Sequence, residues 1–173
     1  MSLTVWLTGL SGSGKTTLAN ALKENFLRTG RASYVLDGDS VRKGLCSDLG
    51  FSDADRAENT RRVAEVARMM NDAGVIVIAA LISPFGLERD LARLTIRESH
   101  FVEVYLDTPL EVCESRDPNG LYRKLRLGEL KDITEIHSNY EPPDHPSLVL
   151  DTSRRSLEDC VRAVDDLVST LEE

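Results

Sequence analysis

Residues 9–16 read Gly-Leu-Ser-Gly-Ser-Gly-Lys-Thr and match the pattern G-x-x-x-x-G-K-[ST] at every defined position. In this pattern the glycines let backbone N–H groups turn inward around a polyphosphate, the lysine reaches the outer phosphates, and the last hydroxyl is offered to Mg²⁺. An apolar run over 3–7 precedes the motif, and a segment with helical spacing over 17–27 follows it. This context favours a nucleoside triphosphate site over the alternative, a Gly/Ser turn in an unrelated domain.

The motif also predicts individual roles. Lys15 is predicted to be catalytic as well as nucleotide-binding, because phosphoryl transfer depends on neutralising phosphate charge. Thr16 is predicted to bind Mg²⁺. The predicted ATP contacts are Gly9, Leu10, Ser11, Gly12, Ser13, Gly14, Lys15, Thr16 and Thr17.

Bulk composition limits the partners. The formal net charge of −8 argues against a general nucleic-acid surface. The 3 cysteines are far apart and form no C-x-x-C pair, so neither a zinc site nor a disulfide framework is indicated. No apolar run approaches the ~20 residues that cross a bilayer. Because Met1-Ser2 leads straight into the first apolar run, we expect no signal peptide and a cytoplasmic protein of one domain over 1–173.

Strand-like and helix-like segments alternate along the chain, which predicts an α/β fold: a doubly wound parallel sheet of the P-loop NTPase type, with helices on both faces and a lid. The run over 75–81 is apolar throughout, as expected of a central strand. We place helix starts at Ser52, Thr108-Pro109 and Ser156, each followed three residues on by an acidic residue. The predicted strands are 3–8, 33–37, 75–81, 101–106 and 148–150.

The stretch over 117–146 breaks this alternation, since it is rich in charge, glycine and proline. Segments this long inside compact domains are usually functional or disordered. We interpret it as a lid that closes on phosphates, rather than as a surface loop without a role. Its basic residues, with the one just before it, are Arg116, Arg123, Lys124, Arg126 and Lys131.

Two carboxylates, Asp37 and Asp39, follow the second predicted strand. Ligands of doubly wound sheets lie beyond the carboxyl ends of the strands, so both acids should face the phosphate loop. One of them would hold Mg²⁺ through water, and the other would accept a proton from the attacking hydroxyl. The alternative is that this segment is only a turn that caps the next helix.

A second polar group follows on the predicted helix over 53–73. Arg56 and Asn59 share a face by spacing, and arginine suits bidentate anion binding, although solvated surface arginines would show the same pattern. Phe51, just before this helix, would either stack on a base or form a hydrophobic staple. Ile82 and Ser83 follow the third strand, at the mouth of the same crevice.

Six segments, in this order, resemble the adenylylsulfate kinase family, which phosphorylates the 3′-hydroxyl of adenosine 5′-phosphosulfate. The resemblance runs from about Val5 to Cys160. The phosphate loop alone is common to many kinases, whereas the other segments are far more specific. The six are residues 9–16, Asp37-Gly-Asp-Ser-Val-Arg42, Asp48-Leu-Gly-Phe-Ser52, Arg56-Ala-Glu-Asn-Thr-Arg-Arg62, Ile82-Ser-Pro-Phe85 and Asp117-Pro-Asn-Gly-Leu-Tyr122.

The resemblance implies a role for each matching position. Asp39 would be the base for the 3′-hydroxyl, and Phe51 would stack on the adenine of the acceptor. Ser83 also matches a serine that the family assigns as a phosphoserine intermediate, although a direct in-line attack needs no such intermediate. The implied acceptor contacts are Asp39, Arg42, Phe51, Arg56, Asn59, Ile82 and Ser83; the implied metal ligands are Thr16 and Asp37.

The resemblance further implies ATP and Mg²⁺ as cofactors, adenylylsulfate as the small-molecule partner, and a role in sulfate assimilation or activation. Family members are often dimers, so the resemblance allows a homodimer. It also allows ATP sulfurylase as a partner in the pathway.

The chain departs from the family pattern in the lid. Ile133-Thr-Glu-Ile136 stands where Phe-Thr-Gly-Ile is usual, and Asn119 replaces a lysine. The departures keep two alternatives open: a kinase of the same fold with another nucleotide or small-molecule acceptor, and a nucleotide-binding switch without catalysis.

Overall fold

The computed structural model describes residues 2–129 and 139–172. The strands are β1 Thr4–Thr8, β2 Ser33–Asp37, β3 Ile76–Ala80, β4 Phe101–Leu106 and β5 Leu148–Leu150. The helices are α1 Lys15–Arg28, α2 Gly38–Arg42, α3 Asp53–Asp72, α4 Gly86–Ile96, α5 Leu110–Arg116, α6 Leu121–Arg126 and α7 Leu157–Glu172, with a 3₁₀ turn at Glu98–His100. None of the helices in these described ranges has the length and apolar character needed to cross a membrane.

The five strands form one parallel sheet in the order β2-β3-β1-β4-β5. All five predicted strands are confirmed, with bounds that differ by at most one residue. The prediction of an interior third strand is also confirmed, because every residue of β3 is buried between β2 and β1.

Alternation along β1 explains why helices cover both faces of the sheet. Val5 and Leu7 belong to one apolar cluster, which includes Leu22 of α1 and Val164 of α7. Trp6 points the other way into a second cluster, shared with α3 and α4. Successive side chains of a strand point to opposite faces, so the sheet must bury both. The doubly wound α/β prediction is therefore confirmed.

Two of the three predicted helix caps are confirmed. Ser52 accepts from the backbone N–H of Asp55, and Ser156 accepts from that of Asp159. The cap at Thr108-Pro109 is wrong: α5 begins without a side-chain cap. The Thr108 hydroxyl instead donates to the carbonyl of Ser13 in the phosphate loop, 3.3 Å away.

An ion pair in the interior was not predicted. Arg89 of α4 donates through Nε to Oε1 of Glu103 in β4 at 3.0 Å, and both side chains are at least 96% buried. Arg93, one turn on, binds the other carboxylate oxygen at 2.6 Å. Two cations therefore satisfy one buried carboxylate beside the sheet.

Replacing Glu103 with alanine should cost about 3–5 kcal/mol of unfolding free energy, because it leaves buried arginine charge without its partner. Urea denaturation measures this. The matched control is Glu158→Ala, which breaks only an exposed pair with Arg162 and should leave stability unchanged. Equal midpoints for the two variants would contradict the structural role given to Glu103.

Candidate functional site

The phosphate loop between β1 and α1 presents the start of a helix without a side-chain cap. Gly14 occupies the cap position with φ 100°, and no described side chain accepts from the first N–H groups of α1. Uncapped N–H groups and the helix dipole make this end of α1 attractive to an anion. Gly12, at φ 79°, leaves no room for a Cβ, which would lie 2.6 Å from the carbonyl oxygen of Cys113.

Besides Thr108, three side chains from the C-terminal half donate to the loop's carbonyls from outside. Tyr122 donates its hydroxyl to Ser11 O at 2.7 Å, and Arg116 donates to Gly12 O at 3.3 Å. Thr152, just after β5, donates to Ser13 O at 2.7 Å. With its carbonyls satisfied there, the loop can turn N–H groups inward. The sequence analysis named Arg116 as a basic residue beside the lid and Tyr122 as the end of a matching segment, but it assigned neither of them to the loop. It missed Thr152, whose position just after a predicted strand could have indicated a role at the site.

Lys15 lies across the loop that carries it. Its ammonium donates to Gly9 O at 2.8 Å and to Leu10 O at 2.7 Å, and only 9% of the residue is exposed. Burial lowers the pKa of Lys15 from 10.5 to about 8, against the opposing effect of nearby Asp37 and Asp39. A phosphate oxygen would compete with these two neutral carbonyls for a desolvated charge.

Asp37 caps α2, one of the two alternatives left by the sequence, and its carboxylate also contacts the phosphate loop. One carboxylate oxygen caps α2 by accepting from the N–H groups of Asp39 and Ser40. The other accepts from the Thr16 hydroxyl at 2.7 Å. The segment is thus a helix cap, and it also brings two hard oxygen donors together beside the phosphate loop.

Two cavities meet at Asp39. The first, about 500 Å³, extends from the phosphate loop past Thr152 towards Leu157. The second, about 390 Å³, extends towards Phe51. Asp39 lines both, and its carboxylate accepts from the Asn119 amide at 3.2 Å. A carboxylate at this junction can face a phosphate on one side and a hydroxyl on the other.

The second cavity gathers the residues that were predicted to contact the acceptor. Arg56 and Asn59 are buried rather than solvated, with 7% and 6% exposure, which removes the surface-arginine alternative. The amide nitrogen of Asn59 is buried without a hydrogen-bond partner among the residues that the structure describes. The predicted residues lining this cavity are Asp39, Arg42, Phe51, Arg56, Asn59, Ile82 and Ser83.

Phe51 packs against two guanidinium groups while half of the residue is exposed. The guanidinium of Arg42 lies 4.4 Å from the ring centroid, and that of Arg56 lies 5.7 Å away. The residue is 51% exposed and lines the second cavity, so part of its surface is open to a ligand. A hydrophobic staple is not formed, because the helix position facing it carries Arg56.

Ser83 has an unusual conformation. Its φ is 40°, in the left-handed region that serine rarely adopts, and the residue is 4% exposed. Its hydroxyl accepts from the indole N–H of Trp6 at 3.1 Å. The hydroxyl therefore has an interior partner, although Ser83 also lines the second cavity.

The predicted lid lies partly outside the described residues, as do Lys131 and the departure at 133–136. Its described beginning contains α6, and Lys124 lines the second cavity. Beyond the gap, Tyr140 hydrogen-bonds the Thr8 hydroxyl at 2.9 Å. The described start of the segment therefore reaches the second cavity, and its described end bonds to the residue just before the phosphate loop.

Comparisons with known proteins agree on one family. The family model for adenylylsulphate kinase matches residues 1–151. The adenylyl-sulfate kinase of Shewanella amazonensis is 57% identical over 166 residues, 95% of this chain and 84% of that protein. That of Marinobacter nauticus is 54% identical over 169 residues, 98% of this chain and 83% of that protein.

A solved structure agrees with the sequence relatives. The APS kinase of Mycobacterium tuberculosis, in complex with AMPPNP and APS, superposes with a TM-score of 0.92 at 47% identity. The match covers 97% of this chain and 98% of that one.

The Gly12→Ala variant should weaken ATP binding by at least about tenfold, because a Cβ there forces the loop away from α5. Titration calorimetry with ATP measures this. Gly30→Ala is the matched control: Gly30 has the same φ of 79° but nothing within 4 Å of its Cβ position, so only the backbone cost is shared. If both variants bound ATP like the wild type, the tight fit of Gly12 would not matter.

The buried charge of Lys15 should make stability depend on pH. The unfolded chain keeps this proton up to about pH 10.5 and the folded chain only up to about 8, so the unfolded state binds more protons between these values. The free energy of unfolding should therefore rise through that window, by roughly 3 kcal/mol relative to Lys15→Met.

Urea denaturation of the wild type and Lys15→Met at pH 7.5, 9 and 10.5 measures this difference. The Lys43→Met variant, at an exposed position, controls for the loss of one positive charge. A wild-type advantage that stayed constant across the three pH values would contradict the lowered pKa.

Proposed function

Because the chain belongs to the adenylylsulphate kinase family, we propose that it transfers the γ-phosphoryl group of ATP to the 3′-hydroxyl of adenosine 5′-phosphosulfate. The products are 3′-phosphoadenylylsulfate and ADP, in sulfate assimilation or activation. The observation that carries this proposal is the position of Asp39, at the junction between the cavity of the phosphate loop and the cavity of the predicted acceptor contacts.

The proposed transfer is direct. ATP occupies the first cavity, with its phosphates on the loop and on the first N–H groups of α1. The 3′-oxygen of the acceptor bonds to the γ-phosphorus while Asp39 accepts the proton of that 3′-hydroxyl. The bond from the γ-phosphorus to the bridging oxygen of ADP breaks at the same time. Lys15 offsets the phosphate charge, which its buried ammonium can do more effectively than an exposed one.

Thr16 and Asp37 fit a Mg²⁺ site that is completed by substrate phosphates better than they fit a metal site built from protein ligands alone. They supply a hydroxyl and a carboxylate oxygen, and the described residues contain no cluster of three or more acidic, histidine or cysteine ligands. Mg²⁺ commonly binds one or two protein oxygens together with substrate phosphates. When bound, it would neutralise charge on the phosphate oxygens.

The acceptor contacts follow from the second cavity. Phe51 stacks on the adenine, a contact worth about 1–3 kcal/mol per base. Arg42 and Arg56 neutralise the phosphosulfate, and the buried amide of Asn59 donates to an acceptor oxygen. The support is that Asn59 has a buried donor facing no described partner, in a cavity that also carries two arginines.

Ser83 acts by shaping the cavity rather than by carrying a phosphoryl group. Its hydroxyl is bonded to the Trp6 indole, and no described lysine, histidine or carboxylate bonds to it as a base. A serine nucleophile is weak unless a base activates it. Ile82 contributes apolar contact beside it.

Family membership alone supports the remaining assignments. These are a single domain over 1–173, a homodimer, a cytoplasmic location, and ATP sulfurylase as the enzyme that supplies the acceptor. The closure of the 117–146 lid on bound phosphates belongs with them.

The direct test is ADP release from Mg-ATP in the presence and absence of adenylylsulfate, with the 3′-phosphorylated product identified by mass. We expect release that depends on adenylylsulfate. If ADP appeared only with another nucleotide or a sugar, the proposed acceptor would be wrong. Asn119→Lys would then be the first variant to test for recovery of activity with adenylylsulfate. If ATP bound without any turnover, a non-catalytic role would be indicated.

In that assay the Asp39→Asn variant should lower kcat by about 10²–10⁴-fold, because the neutral amide cannot accept the proton, while the KM for adenylylsulfate changes little. Lys15→Ala should instead lose both ATP binding and turnover. The matched control is Asp165→Asn on α7, where the carboxylate pairs with Arg31 outside both cavities. A kcat for Asp39→Asn close to that of the control would remove Asp39 as the base.

A further inference from the structure

Arg89 is a buried arginine that lines neither cavity but bonds to Ser83, which lines the second cavity. Only 2% of the residue is exposed. Its guanidinium donates to three separate acceptors: Glu103 Oε1 at 3.0 Å, the carbonyl of Ser83 at 2.7 Å, and the carbonyl of Glu141 at 2.7 Å. One side chain thus joins α4, β4, the turn after β3 and the segment before β5.

The Ser83 turn needs such support. A left-handed serine persists only where its surroundings hold it in place. Here Arg89 holds the carbonyl from one side, and Trp6 holds the hydroxyl from the other. Ile82, Ser83 and Pro84 form one wall of the second cavity, so the position of this turn decides the shape of that wall.

The same guanidinium fastens residues 140–141 to the turn. The backbone N–H of Glu141 donates to Pro84 O at 2.8 Å, and its carboxylate accepts from the N–H of Gly86 at 2.6 Å. With the Arg89 bond to the Glu141 carbonyl, three bonds join Glu141 to Pro84, Gly86 and Arg89, all just after Ser83 in the chain. The Tyr140 ring lies 5.8 Å from the Arg89 guanidinium and packs on the same group.

We infer that Arg89 is a positioning residue for the acceptor: its guanidinium, anchored by Glu103, holds the Ser83 turn and Glu141 together so that the wall of the acceptor cavity keeps one shape. This inference rests on the proposed function of that cavity. The rigid fork of arginine can donate in several directions at once, whereas a lysine ammonium at the end of a flexible stem cannot reach all three acceptors.

Arg93 provides a matched comparison within the same helix. It binds the same carboxylate, through Glu103 Oε2, and it packs on Phe101, but the structure shows no bond from it to Ser83 or Glu141. If Arg89 contributed only to stability, Arg89→Lys and Arg93→Lys should have the same KM for adenylylsulfate. If Arg89 positions the acceptor, only Arg89→Lys should raise that KM.

The kinetic test measures kcat and both KM values for the wild type, Arg89→Lys and Arg93→Lys. We expect Arg89→Lys to raise the KM for adenylylsulfate by ~10- to 100-fold, because small misplacements of binding groups are costly. The KM for ATP should stay within about twofold, because the bonds of the phosphate loop do not involve Arg89. Arg93→Lys should leave both KM values unchanged.

A second readout does not depend on activity. Hydrogen exchange by mass spectrometry should show faster exchange in Arg89→Lys for peptides covering 80–88 and 139–146, and no such change in Arg93→Lys. A wild type without adenylylsulfate-dependent turnover would overturn the proposed function, and the exchange comparison would still decide whether Arg89 holds these segments.

Glu141→Ala provides a variant at an exposed position, so folding should be retained. It removes the carboxylate bond to Gly86 and should raise the KM for adenylylsulfate in the same direction as Arg89→Lys. Identical kinetics and exchange in the Arg89 and Arg93 variants would overturn the inference, as would an equal rise in both KM values of Arg89→Lys.

Discussion

The site depends on satisfying the carbonyl groups of the phosphate loop. A loop can turn N–H groups towards an anion only if its carbonyls, which point away, find donors elsewhere. Tyr122, Arg116 and Thr152 supply those donors to Ser11, Gly12 and Ser13 from outside, and Lys15 covers the two earlier carbonyls. The N-terminal motif is therefore shaped by residues more than 100 positions away along the chain.

A second constraint is charge buried beside the sheet. Lys15 lines both cavities, Arg56 lines the second, and Arg89 lies behind the wall of the second; each is less than 10% exposed. Burying a charge is costly unless anions or dipoles compensate it. Glu103 compensates Arg89 within the protein. Substrate phosphates can complete the compensation for the other two, which links the stability of the fold to the binding of its substrates.

Local patterns predicted the parts of this architecture that depend on neighbouring residues. The strands, the phosphate loop and the caps at Ser52 and Ser156 follow from periodicity and short-range hydrogen bonding. The cap at Thr108 was wrong because a distant carbonyl, Ser13 O, takes that hydroxyl. The Arg89–Glu103 pair escaped prediction because, in sequence, each residue looks like an ordinary surface charge. Such pairings depend on tertiary placement, which no local pattern contains.

We expect one displacement to carry the phosphoryl group past Asp39 from one cavity to the other. The stereochemical course with ATP made chiral at the γ-phosphorus by oxygen isotopes distinguishes one displacement from two. A single in-line displacement inverts the configuration, and this is the predicted result. Retention would mean two displacements through a covalent intermediate; it would exclude direct transfer and return Ser83 to the role of nucleophile.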